Sequence, residues 1–297
     1  MNAARQPRDL PASIRQRLLD LSRERGEDFQ AILDRYAVER MLYRLSVSDQ
    51  RREFLLKGAL LFAVWFDAPH RPTRDADLLG FGEPDAERLD KFVRKLCAMP
   101  IEDGMTYEAA SVRVQEIREQ AAYPGLRVNL RGTLGNARCN VQLDVGFGDA
   151  VTPEPIEEDY PNLLDDLPSP RLRVYPRESV YAEKVEAIAR FGIANSRMKD
   201  YFDLLALTRE GAMDPAVLAR AVAATFERRR TPIPDAMPLG LTAEFAADAA
   251  KRRQWSAFLG RSRLEAPTLE ATIEELARFL RAPLQAARAS KEKRKKP

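Results

Sequence analysis

Apolar and polar residues alternate along this chain with two different periods, and the change of period marks its organisation. Over residues 12–48 the apolar positions recur every three or four residues. Ile14, Leu18, Leu19 and Leu21 form one stripe, Phe29, Ile32, Leu33 and Tyr36 a second, and Met41, Leu42 and Leu45 continue it. That spacing predicts helices. Phe54-Leu55-Leu56 is a short apolar run ending at Gly58, as expected of a buried strand, and the breaker-free segment Ala59–Phe66 reads as a helix closed by Pro69 and Pro72. Asp75–Leu79 reads as a strand that stops at Gly80 and Gly82. Residues 85–99 are amphipathic, with Leu89, Phe92, Val93 and Leu96 on one face.

Between residues 105 and 147 the period drops to two. Val112, Val114 and Ile117 are β-favouring. Leu126, Val128 and Leu130 alternate with Arg127, Asn129 and Arg131, and Val141, Leu143, Val145 and Phe147 alternate with Gln142, Asp144 and Gly146. Such alternation predicts half-buried strands, with Thr133–Asn136 as the turn between the last two. The expected centre is a small, mostly antiparallel sheet. Six prolines over residues 152–176 suggest a boundary, and beyond it the chain reads as nearly all helix, clearest at Ser179–Phe191 and Arg197–Arg209 on either side of Gly192. The fold class is therefore α+β, a sheet flanked by helices and followed by an α-helical region. The expected domains are 1–170 (N-terminal helices plus sheet), 171–285 (helical) and a basic tail, 286–297.

Composition narrows the chemistry more than the fold. The 297 residues are 45% hydrophobic and 31% charged, enough apolar material for a sizeable core. No apolar run reaches the roughly 18 residues a membrane span needs. Met1–Leu10 carries no apolar signal-peptide core, so the cytoplasm is the expected location. Two distant cysteines, Cys97 and Cys139, exclude a disulfide scaffold and a cysteine zinc site. A single histidine, His70, argues against imidazole-rich metal sites and histidine-based hydrolysis. The net charge is only +3, but Arg228-Arg229-Arg230, Lys251-Arg252-Arg253, Arg261, Arg263 and Lys291–Lys296 gather in the last third. They form either a surface for a polyanion such as RNA or a set of solvated helix faces.

What remains for chemistry is carboxylates, lysines and a hard cation. Asp75 and Asp77, two apart on a strand, point to the same face, and we place them at that strand's C-terminal end. Paired carboxylates repel unless a cation lies between them, and Mg²⁺ or Mn²⁺ with oxygen ligands suits them. The competing reading is a solvated strand end paired with Arg71 and Arg74. Asp144 faces away from Leu143 and Val145, toward solvent or a cleft. If its strand neighbours that of Asp75 and Asp77, three carboxylates converge, an arrangement that suits metal-assisted phosphoryl transfer. Lys57-Gly58-Ala59 is a strand-to-helix turn whose glycine lets backbone N–H groups approach a phosphate, although the same turn is common in proteins that bind none. Asp200 and Asp203 share a helix face, and a turn at Gly192 would bring Lys184 of the preceding helix to them. The alternative there is a surface ion-pair network.

Taken in order, these motifs resemble the AbiEii version of the nucleotidyltransferase fold. They are Phe54-Leu-Leu-Lys-Gly-Ala-Leu-Leu-Phe62, Arg71-Pro-Thr-Arg-Asp-Ala-Asp-Leu-Leu79, Leu143-Asp-Val-Gly-Phe-Gly-Asp149, Ala182-Glu-Lys184 and Arg197-Met-Lys-Asp-Tyr-Phe-Asp-Leu204. The resemblance covers about residues 12–210 and implies a mixed sheet flanked by helices. It also implies a toxin of a bacterial toxin–antitoxin or phage-defence system, with a cognate antitoxin as partner. The implied activity is Mg²⁺-dependent (or Mn²⁺-dependent) transfer of a nucleotide from NTP to RNA, with the 3′ end of tRNA as acceptor. Under it Asp75, Asp77 and Asp144 hold the metal, and Asp144 serves as ligand or base. Lys57, Gly58, Thr73, Arg74 and Lys184 contact the nucleotide, and Asp200 or Asp203 orients Lys184. Ala59 stands where the wider superfamily has Ser or Gly, so no side-chain hydroxyl assists there. Two alternatives stay open: transfer to a protein or small molecule, and a degenerate transferase that only binds RNA or a partner.

Overall fold

In a computed structural model, the described residues are 9–66, 71, 73, 75–117, 125–210 and 213–295, the side chains of 291–295 excepted. The chain divides into two units. One comprises Met1–Gly148 with Glu157–Val174, and the other Asp149–Ile156 with Tyr175–Pro297.

The first unit opens with α1 (Leu10–Arg25) and α2 (Phe29–Ser46). Each begins where an aspartate satisfies orphan N–H groups: Asp9 accepts from Ala12 N and Asp28 from Ala31 N, both at 3.0 Å. Gly26, in the left-handed region at φ 63°, ends α1. β1 (Phe54–Lys57), α3 (Leu61–Trp65), β2 (Asp75–Gly80), α4 (Ala86–Cys97), β3 (Met105–Tyr107), β4 (Arg113–Glu116), β5 (Gly125–Leu134), β6 (Ala137–Phe147), β7 (Ile156–Asp159) and β8 (Arg171–Val174) follow. Among the described residues the strands form one sheet in the order β3-β5-β6-β2-β1-β8-β7, with β4 also on β5.

The sheet is mixed. β5 and β6 form an antiparallel hairpin closed by Gly135-Asn136, while β2 runs parallel to β6 and β8 parallel to β1. The small antiparallel sheet expected from residues 105–147 is thus one side of a larger one. β2 joins it by parallel pairing with β6, β1 pairs antiparallel with β2, and the Pro-rich segment, expected as a boundary, contributes β7 and β8. Parallel pairing of β2 with β6 cannot be read from alternation, because it joins segments separated by α4 and three strands.

Alternation did identify the faces. Leu126, Val128, Leu130, Val141, Leu143 and Val145 are buried, and α2 packs on β6 and α4 on β4. Phe92 of α4 stacks on Phe54 of β1 at 5.3 Å between ring centroids. Beneath α2 lies an ionic cluster that periodicity could not reveal. Arg44 donates to both oxygens of Asp103 at 2.5 and 3.2 Å, and Arg40 Nη2 donates to Pro168 O at 2.8 Å. Leu163 N donates to Glu39 Oε2 at 2.7 Å. All four side chains are buried. Burial pushes Glu39 up to about 7, against the pull of that N–H and of Arg40.

The second unit holds α5 (Arg177–Phe191), α6 (Met198–Glu210), α7 (Pro215–Arg228), α8 (Ala243–Ala247), α9 (Ala249–Ser262) and α10 (Leu269–Lys295). α5 ends at Gly192, in the left-handed region at φ 51°, and α5 packs on both α6 and α7. No helix among the described residues is long and apolar enough to cross a membrane.

Candidate metal centre

The register of three strands builds the site in the first unit. Asp77 of β2 lies opposite Asp144 of β6 and opposite Lys57 of β1, and Asp75 lies opposite Gln142. Residues in register on neighbouring strands share a face, so Asp75, Asp77 and Asp144 emerge together. One carboxylate oxygen from each lies within 4.8 Å of the others, all three residues being half-buried. Asp75 is the first residue of β2. The pair therefore sits at the strand's N-terminal end, not its C-terminal end as the sequence suggested. Ala76, Leu78 and Leu79 are buried, so the strand runs inward from the acids.

Neighbours fix each carboxylate. Thr73 Oγ1 donates to Asp75 Oδ1 at 2.7 Å. Gly58, at φ 72°, lies flush against Asp77: a β-carbon there would stand 1.9 Å from Asp77 Oδ2. No side chain fits at residue 58 without moving that carboxylate, and the backbone conformation itself favours glycine. Asp144 takes a bidentate hydrogen bond from Arg127, Nε to Oδ1 at 2.8 Å and Nη2 to Oδ2 at 2.7 Å, and Gln142 Nε2 approaches the same carboxylate at 3.3 and 3.4 Å. Sequence reasoning passed over Arg127. Its one signal was its place on the polar face of an alternating strand, two residues from Asn129.

These donors fit a hard divalent cation. Each is a carboxylate oxygen, and an octahedral Mg²⁺ with oxygens at about 2.1 Å spans O···O distances up to roughly 4.2 Å. Small side-chain rotations would close the observed spread. Asp144 would then share its charge between the cation and Arg127.

The second unit holds the other predicted cluster. α5 and α6 bring Lys184 Nζ to 2.8 Å from Asp200 Oδ1 and 2.7 Å from Asp203 Oδ2. Arg197 Nε donates to Asp200 Oδ2 at 2.5 Å. Both aspartate side chains are fully buried, whereas Lys184 is 14% exposed. Burial raises the Asp200 carboxyl, but Lys184 and Arg197 together outweigh it and hold it below the usual carboxylate range.

The basic clusters need correction. Arg229 is largely buried and reaches three carboxylates, Asp149 at 3.1 Å, Glu183 at 3.2 Å and Glu186 at 3.0 Å. Lys251 is buried and donates to Asn195 O at 2.9 Å. Neither is a surface cation. Charge counts in sequence miss this, because they cannot show which cations fold inward onto acids. Arg74 and the side chains of Lys291–Lys296 lie outside the described residues.

Among curated proteins, none matches this chain. Two solved structures are similar to this chain. One is JHP933 from Helicobacter pylori, 14% identical over 89% of this chain and 96% of that one, with a TM-score of 0.49. The other is a candidate nucleotidyltransferase from H. pylori, 17% identical over 88% and 97%, with a TM-score of 0.48. A family profile described as nucleotidyl transferase AbiEii toxin, type IV TA system, matches residues 40–282. That span takes in β1, β2, β6, α5 and α6, and with them Asp75, Asp77, Asp144, Lys184, Asp200 and Asp203. The chain belongs to the AbiEii family of nucleotidyltransferase toxins of type IV toxin–antitoxin systems.

Proposed function

We propose that this protein transfers a nucleotide from an NTP to the 3′ end of an RNA, with tRNA as the acceptor, in a reaction that depends on Mg²⁺ or Mn²⁺. The convergence of Asp75, Asp77 and Asp144 within 4.8 Å, in a chain of a nucleotidyltransferase family, carries this reading. In the reaction the acceptor 3′ oxygen forms a bond to the α-phosphorus. The bond from that phosphorus to the β-bridging oxygen breaks, and pyrophosphate leaves with the electron pair. Asp75, Asp77 and Asp144 would hold a divalent cation, which would supply neutralisation of the phosphate charge.

The chain's residues do the rest. Asp75 and Asp77 hold the cation, and the Thr73 hydroxyl fixes the Asp75 rotamer. Asp144 accepts the proton of the 3′-hydroxyl or shares the cation, with Arg127 balancing its charge. Gly58 leaves room for the triphosphate beside Asp77, and its backbone N–H donates to it. Lys57 and Arg74 are assigned to the nucleotide on their place in the motifs. Lys184 is assigned to the polyphosphate. Supporting this assignment, its ammonium is held by two buried aspartates yet is still reachable by solvent. Membership of a type IV family implies an antitoxin partner.

Incubating the protein with total tRNA and each labelled NTP in turn, with and without Mg²⁺, tests the reading. Label is expected on the tRNA 3′ end with one or a few NTPs, dependent on the metal and absent in Asp77→Ala. Label on protein instead would move the acceptor to a side chain. Label on nothing, with Mg–NTP still bound, would overturn transfer.

A further inference from the structure

Beside Asp75 the polar face of the sheet opens into a cleft of about 590 Å³. It exists because two strands differ in length. β2 begins at Asp75, opposite Gln142, while β6 reaches back to Ala137. Along that overhang Asp34 of α2 takes the place of a neighbouring strand, accepting from Asn140 N at 3.0 Å. The cleft is lined by Asn129, Gln142, Asn140, Arg113, Arg131 and Ser111, and Asp75 stands at its edge.

The lining has a regular layout. Asn129 pairs across the sheet with Gln142, on the level of Asp75, and Arg131 pairs with Asn140 one repeat further out. Successive same-face levels on a strand are about 6.6 Å apart. Primary amides, each both donor and acceptor, thus occur on two consecutive levels that begin at the carboxylates. Within the described residues the side-chain amides of Asn129 and Asn140 make no hydrogen bond. Arg131 is held by both oxygens of Glu108 at 2.9 and 3.1 Å, which fixes its guanidinium beside the cleft. Amides that can donate and accept together match the edges of nucleobases, and guanidinium groups match phosphates. A cleft of this size accommodates a small ligand and is far too small for a duplex.

We infer that this cleft receives the unpaired 3′ end of the acceptor RNA, the last base against Asn129 and Gln142 and the one before it toward Asn140 and Arg131. The inference rests on the transferase reading above and adds the acceptor's path and the residues that recognise it. On this path the terminal ribose stands at the level of Asp75, where the carboxylates lie. The NTP then occupies the Gly58 side of Asp77.

The test is equilibrium binding by the full-length protein to two fluorescent hairpin RNAs, one with a short unpaired 3′ end and one blunt. Wild-type protein is expected to prefer the unpaired end by about tenfold or more, given roughly 1–3 kcal/mol per recognised base. Asn129→Ala with Asn140→Ala should abolish that preference and leave the affinity for Mg–NTP, read with a fluorescent NTP analogue, unchanged. Asn129→Asp with Asn140→Asp keeps the side-chain shape and should lose the preference as well. This second pair answers the question should the alanine protein fail to fold.

Three results would overturn the inference: no wild-type preference for the unpaired end, an intact preference in folded variants, or lost NTP affinity with RNA binding retained. The last would give the cleft to the nucleotide substrate. Binding is read without turnover, so the two readings fail separately. A wild-type protein that prefers the unpaired end yet transfers nothing overturns the transferase reading and leaves the cleft assignment. Transfer with an unchanged acceptor KM in the variants does the reverse.

Discussion

Each unit of this protein gathers aspartates, and the two gatherings are built on opposite principles. On the sheet, Asp75, Asp77 and Asp144 bring carboxylate oxygens toward one another at half-buried positions, with glycine against one acid and an amide-lined cleft beside another. In the helical unit, a lysine is already placed between Asp200 and Asp203, an arginine flanks Asp200, and both acids are fully buried. The helical cluster neutralises itself, because a buried carboxylate without a cation would be too costly. In the sheet cluster Arg127 balances Asp144, and the three half-buried acids converge at a point where a divalent cation fits. Acids that face each other at a surface opening mark a place for a ligand, whereas acids that enclose a lysine mark how that lysine is held.

This contrast can be broken by substitution. Asp75→Ala or Asp77→Ala should show the largest effect. Loss of a cation worth several kcal/mol in the reaction corresponds to about a thousandfold or more in transfer rate. The melting temperature should hold or rise, since repulsion is relieved. Activity within tenfold of wild type in either variant would remove the metal assignment.

Asp200→Ala should do the reverse, acting first on stability. Removing one partner of a buried ion pair costs about 3–5 kcal/mol, with the low end expected because Lys184 is partly exposed. Chemical denaturation measures it. The same carboxylate sets a pH dependence. Its folded pKa lies below the ordinary one, so its contribution is present above the ordinary carboxylate range and lost as pH falls through the folded value. Wild type should therefore lose stability on acidification, and Asp200→Asn should lose less. Equal acid sensitivity in both would show that Asp200 is not the group responsible.

Gly58→Ala should fall between these extremes. A β-carbon at that position collides with Asp77 and must adopt a left-handed backbone, a strain of about 1–3 kcal/mol. Metal affinity, read by calorimetry, should drop with it, because the methyl displaces a ligand. A stable protein with wild-type affinity would separate Gly58 from the site.

The smallest effect belongs to Glu39, and it sharpens the contrast within the first unit. Burial raises its folded pKa to about 7, above its unfolded value, so its contribution is full below the unfolded pKa and is lost as pH rises through about 7. Glu39→Gln should flatten the decline of stability between pH 5 and 8. An unchanged slope would show that Arg40 keeps Glu39 ionised throughout.

Much of this was legible in residue order. The helical stripes of α1, α2 and α4, the alternation of β5 and β6 and the same-face spacing of Asp75 and Asp77 follow from backbone periodicity alone. The motif Lys57-Gly58 marked the strand-to-helix turn, and Lys184 with Asp200 and Asp203 marked two helices that fold together at Gly192. Periodicity is a property of neighbours in sequence, so it reports which face a residue occupies without any knowledge of the fold.

Tertiary structure alone decided what those faces meet. That β2 pairs parallel with β6, setting Asp77 beside Asp144, depends on which strands become neighbours, and alternation is blind to partner choice. So is the end of the strand at which the acids lie, set by where β2 begins relative to β6. Arg127 became the counterion of Asp144, and Arg229 and Lys251 turned inward, because long cationic side chains go where buried carboxylates and carbonyls need them. The cleft at Asn129 and Asn140 comes from a mismatch in strand length, a relation between segments that no single stretch of sequence contains.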